Sequence, residues 1–88
     1  MYGMTSQIRR SAVSIPSNIA EGCCRGSEMD FKRYLQIAVG SASELEYQVY
    51  LAKDLQYTDN SNYEILKVRI IEVKRILSSL INKLKADS

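Results

Sequence analysis

The sequence predicts an all-α fold, an antiparallel up-and-down bundle with three helices in this chain, and three observations predict it. Apolar residues recur at alternating steps of three and four along most of the chain. The interruptions at residues 22–26 and 58–61 are short and built from turn-forming residues. With 88 residues, 45% hydrophobic and 25% charged, the composition is that of one globular domain spanning residues 1–88.

The first helix is expected over about residues 5–21, where Ile8, Ala12, Ile15 and Ile19 share one register and Gly22 follows as a stop. Pro16 lies inside it. Proline deletes one backbone hydrogen bond and presses on the Ala12 carbonyl, so a kinked helix is expected, with Ser14, Ser17 or water satisfying the freed groups. The alternative is a break into two short helices. The second helix is expected over residues 28–56, with Phe31, Leu35, Ala38, Ala42, Leu45, Val49 and Ala52 as its seam and Ser27 opening it as a capping box with Asp30. Its small alanines let a neighbour approach closely, and Gly40 reads as the mark of a close helix crossing. The third helix is expected over residues 62–85, where Leu66, Ile70, Val73, Leu77, Leu80 and Leu84 form a heptad seam that Ile71, Ile76 and Ile81 widen. Ser61 and Glu64 have the spacing of a capping box at its start.

A chain this short buries only about 60 to 65% of the surface it exposes when unfolded, so self-association is a natural source of further burial. Charge is unevenly placed. Residues 1–33 sum to +2, residues 34–64 to −4 and residues 65–88 to +4, within a net charge of +2. Such a distribution suits helices that pair by charge, and it leaves basic surface that an anionic polymer could use. There is no His, one Pro, and two Cys that are adjacent, Cys23 and Cys24. General bases, metal ligands and disulfide frameworks therefore lack their parts, and neither an enzyme nor a cofactor, metal or small-molecule substrate is expected. The start has no signal-peptide core and no run approaches the roughly 18 apolar residues of a membrane span, so a cytoplasmic location is expected.

The run Gln7-Ile8-Arg9-Arg10-Ser11-Ala12-Val13-Ser14-Ile15-Pro16-Ser17-Asn18-Ile19-Ala20-Glu21-Gly22 resembles the signature of the bacterial four-helix-bundle family first noted as products of intervening sequences in 23S ribosomal RNA genes. Phe31, Tyr34-Leu35, Ile37-Ala38, Gly40-Ser41 and Glu44-Leu45-Glu46 look like that family's next helix. The resemblance implies a four-helix bundle assembling into a ring, typically a homopentamer. It also implies similarity in fold to the accessory variability protein of diversity-generating retroelements, a basic pentamer associated with a reverse transcriptase and nucleic acid. Family members usually carry another helix before a start like the one here, so one helix is missing relative to them. Either it precedes Met1 in a longer product, or this member makes do with three and a neighbouring chain fills the groove that remains.

On this reading the structural motif comprises Pro16, Asn18, Glu21, Gly22, Glu44 and Glu46, with Arg9 and Arg10 joined to Glu44 and Glu46 in a partly buried ion-pair network between helices. The functional reading of the same arginines, with Lys67, Lys74, Arg75, Lys83 and Lys85, is that they hold RNA phosphates or an RNA-handling partner. Residues 22–27 are Gly-rich but lack the spacing, lysine and preceding strand of a phosphate loop. Glu44 and Glu46 stand two apart and point to different sides of a helix, which suits them poorly to sharing a proton or a metal. Tyr34, Tyr47 and Tyr50 are read as interface aromatics, with base stacking as the alternative.

Overall fold

A computed structural model describes residues 2–87, with side chains described for residues 3–84. Three helices make up the structure, α1 (Tyr2–Cys23), α2 (Glu28–Asp54) and α3 (Asn60–Asp87), and no strand occurs among the described residues. Each lies where the apolar period places it, and the ends differ for identifiable reasons.

The turn after α1 uses Gly26 at φ 84°, a left-handed conformation that glycine adopts freely. Ser27 then caps α2, its Oγ accepting from the Asp30 N–H at 3.1 Å. The helix stops at Asp54, two residues before the expected end, because Gln56 turns left-handed at φ 65°. The Gln56 N–H donates to the Lys53 carbonyl at 2.9 Å and the Tyr57 N–H to the Ala52 carbonyl at 2.8 Å, the paired bonds of a Schellman motif. Asp59, rather than Ser61, caps α3. Its Oδ1 accepts from the Asn62 N–H at 2.8 Å, which starts the helix earlier than the Ser61 box suggests. A carboxylate at that position also meets the positive end of the helix dipole.

α1 runs through Pro16 as one helix rather than breaking into two. Asn18 Nδ2 donates to the Ser14 carbonyl at 2.8 Å just beyond the proline and to Ser14 Oγ at 3.0 Å. Pro16 itself is exposed, so its ring costs a backbone bond without disturbing the packed face.

α2 lies between the other two. Leu35, Ala38, Ala42, Val49 and Ala52 are buried along it, the seam read from the sequence, with Phe31 and Leu45 half-buried. Ile15 and Ile19 of α1 pack on one side of this row, and Leu77 and Ile81 of α3 on the other. Further along, Tyr63 and Ile70 close over Ala42 and Val49. No α1 Cα comes within 8 Å of an α3 Cα among the described residues. The result is a slab of 45 × 22 × 13 Å, its short dimension close to the diameter of one helix. Its radius of gyration, 14.4 Å, exceeds the roughly 12 Å of a compact domain of this length.

Two expected seam positions and the expected helix crossing are displaced. Ala12 is exposed and Ser11, only 4% exposed, takes the packed place on α1. Leu66 is 42% exposed, because α3 turns Tyr63, Ile70, Leu77 and Ile81 toward α2, while Val73, Leu80 and Leu84 pack half-buried beside that row. Gly40 marks no crossing, since a Cβ there would meet nothing within 4 Å. The close approach is at Gly22 instead, where a Cβ would stand 2.8 Å from Tyr34 Cβ and 3.4 Å from Phe31 Cα. No described helix is long and apolar enough to cross a membrane.

Candidate functional site

The signature segment of α1 meets α2 through small polar side chains, and their size sets how closely the two helices approach. Ser14 Oγ and Ser41 Oγ are 2.8 Å apart, and Ser11 Oγ donates to Glu44 Oε1 at 3.1 Å. These groups floor a cleft of about 300 Å³, walled by Gln7 and Arg10 on α1 and by Glu44 and Gln48 on α2. Gln48 Oε1 is buried there without a hydrogen-bond donor. Hydroxyls are compact enough for close helix packing and still satisfy one another, which explains why serines occupy this seam.

The expected network joining Arg9 and Arg10 to Glu44 and Glu46 does not form within the chain. Both arginines are exposed and neither has an acidic partner among the described residues. Glu44 is held by a serine, and Glu46 pairs with Lys74, whose Nζ lies 2.9 Å from Oε1. Glu21 turns to Arg25 one helical turn on, at 3.1 Å. The heptad register explains the change: Glu46 lies on the side of α2 that α3 covers, away from α1.

The basic candidates do not converge on one face. Arg10 lines the α1–α2 cleft, whereas Lys67 and Lys74 lie along the α2–α3 contact, with Lys67 Nζ 5.9 Å from the Tyr63 ring. Arg75 and Lys83 border a shallow apolar depression with Ile76 and Leu80 on α3. The side chain of Lys85 lies outside the described residues.

Two cation-aromatic clusters escaped the sequence reading. Lys53 Nζ sits 4.9 Å from the Tyr50 ring and 5.0 Å from the Tyr63 ring, tying the end of α2 to the start of α3. Arg25 and Arg33 both approach the Tyr34 ring at 5.2 Å, and Arg25 also donates to Tyr34 Oη at 2.7 Å. The Lys53–Tyr63 and Arg25–Tyr34 contacts join different helices or turns, a proximity no local pattern encodes. Tyr47 stays exposed, while Tyr63 is buried. Cys23 and Cys24 are free and exposed, and no group of three acidic or cysteine side chains among the described residues is placed to hold a metal ion.

The family model described as 23S rRNA-intervening sequence protein matches residues 1–79. A crystal structure described as a protein with unknown function from the S23 ribosomal protein family, from Bacteroides thetaiotaomicron, is similar at a TM-score of 0.86 and 36% identity. The match covers 89% of this chain and 72% of that one. No curated protein matches the sequence.

Proposed function

From its membership of the 23S rRNA-intervening sequence protein family, to which this chain belongs, we propose that it is a non-enzymatic helical scaffold that works as a homo-oligomer. The carrying observation is the open side of the slab. α1 and α3 stand apart over α2, and along α3 Leu66 is exposed while Val73, Leu80 and Leu84 are only half-buried, with no further helix of the described residues to cover them. At its far end Met4, Ile8, Val49, Ala52 and Leu66 line an apolar hollow of about 180 Å³. Ile65 and Ile76 extend the apolar surface outward. A fourth helix completes an antiparallel four-helix bundle here, and copies assemble as a closed ring, for which five is the number the sequence resemblance implies.

Ile76 is 61% exposed, so Ile76→Glu costs an isolated chain little. In an assembly that buries it, a charge introduced there weakens association strongly. Light scattering and native mass spectrometry across a dilution series are expected to show an oligomer for the natural chain and a shift toward monomer for Ile76→Glu. A natural chain that stays monomeric at every concentration refutes the reading.

A role in presenting basic surface to RNA, or to an RNA-handling protein, is part of the same proposal. Because the basic residues lie on separate faces, several copies must contribute to any one phosphate track. Binding to an RNA oligonucleotide is then expected to require the oligomer and to fall steeply with salt. The second reading, an amphipathic helix of another protein in the apolar gap, is favoured by the same leucine flank and predicts association that hardly weakens with salt.

A further inference from the structure

The α1–α2 cleft holds three polar groups that this chain leaves unpartnered or partly partnered, and they are complementary to one another. Glu44 accepts one hydrogen bond, from Ser11, and has no cationic partner among the described residues. Arg10, on the opposite wall, has up to five N–H donors and no acceptor among those residues. Gln48 Oε1 is buried beside them with no donor. A buried amide oxygen left without a donor is costly, and native folds seldom retain one.

Glu44 and Gln48 are four residues apart on α2, so they stand one above the other, about 5 to 6 Å apart at Cβ. A guanidinium presents a planar fork of donors that can serve two acceptors at that spacing, which an ammonium does less well. Arg10 of the same chain lines the cleft and reaches neither. A second copy of the chain offers the same guanidinium from outside the cleft, where both Arg10 and Glu44 are exposed. Every copy carries an α1 wall with the cation and an α2 wall with the acceptors, so a neighbour set against this face brings unlike charges together. The same flank carries Ile37 on α2 and Leu55 at its C-cap, at heptad spacing on either side of Ser41, Glu44 and Gln48, and both are about half-exposed. They add apolar area at the two ends of a polar centre.

We propose that this cleft is a contact between copies of the chain, in which Arg10 of one copy enters the cleft of its neighbour and donates to Glu44 and Gln48 there. The proposal rests on the homo-oligomer reading and names a contact on the face of the slab opposite the apolar gap.

Charge reversal tests it on the full chain. Arg10→Glu and Glu44→Arg are each expected to weaken association by roughly tenfold or more, and the two combined in one chain to restore most of it. Assembly is read by native mass spectrometry and sedimentation, and folding by far-ultraviolet circular dichroism. Glu44→Gln keeps the side-chain shape and the acceptor for Ser11 while removing the charge, so it carries the test if a reversal disturbs folding, and it is expected to weaken association as well. Association unchanged in the folded single variants, or a double variant no better than its parents, overturns the proposal while leaving the oligomer reading intact. Loss of stability in the dissociated chain with no change in association also overturns it, since that result assigns the pair to a single chain. A natural chain that never associates overturns both.

Discussion

Gly22 and Gly40 are both helical glycines, and the structure gives their replacement opposite signs. At Gly22 a Cβ meets Tyr34 Cβ at 2.8 Å and Phe31 Cα at 3.4 Å, atoms on or next to the α2 backbone that cannot move aside. Gly22→Ala is therefore expected to destabilise by about 1 to 3 kcal/mol, the usual cost of overpacking. At Gly40 a Cβ meets nothing within 4 Å, so Gly40→Ala gains only the lower backbone entropy of alanine and stabilises by about 0.5 to 1 kcal/mol. Urea midpoints of the two variants on opposite sides of the natural chain check the pair. Among the described residues Gln56 is the non-glycine residue held at positive φ, 65°, just after the end of α2. Gln56→Gly keeps the Schellman bonds and relieves that conformation, with a gain of up to about 1 kcal/mol expected in the same assay.

At the scale of elements, Pro16 is the one helix breaker inside an otherwise regular α1, and it is exposed. Pro16→Ala restores the missing bond to the Ala12 carbonyl without touching the packed face, and thermal unfolding is expected to show stabilisation of about 1 to 3 kcal/mol. Helix number and the α2 seam were legible in the sequence, because alternating steps of three and four leave little room for another fold. What escaped it follows from how helices meet. Ser11 packs where Ala12 was expected because a serine that hydrogen-bonds Glu44 can be buried, and period analysis scores it as polar. Leu66 lost its place to Tyr63 because α3 has more apolar faces than α2 can cover, so pairing rather than period chose the register. The expected pairing of Arg9 and Arg10 with Glu44 and Glu46 does not form, since Glu44 is held by Ser11 and Glu46 by Lys74. No local pattern could show that these arginines and carboxylates stay apart within one chain.

At the scale of the whole molecule, the slab leaves both of its broad faces with work to do. One carries the half-buried leucine edge of α3, the other the polar cleft between α1 and α2. The order of elements along the chain places the shared helix in the middle, so each outer helix packs against its own sequence neighbour. Such contacts are local, and folding is expected in the microsecond to millisecond range typical of low contact order. Since α1 and α3 do not brace each other, either can open while the other stays docked on α2. Amide hydrogen exchange should accordingly be graded rather than all-or-none: slowest at the buried centre of α2, around Ala38 and Ala42, and faster, with separate opening free energies, in the two outer helices.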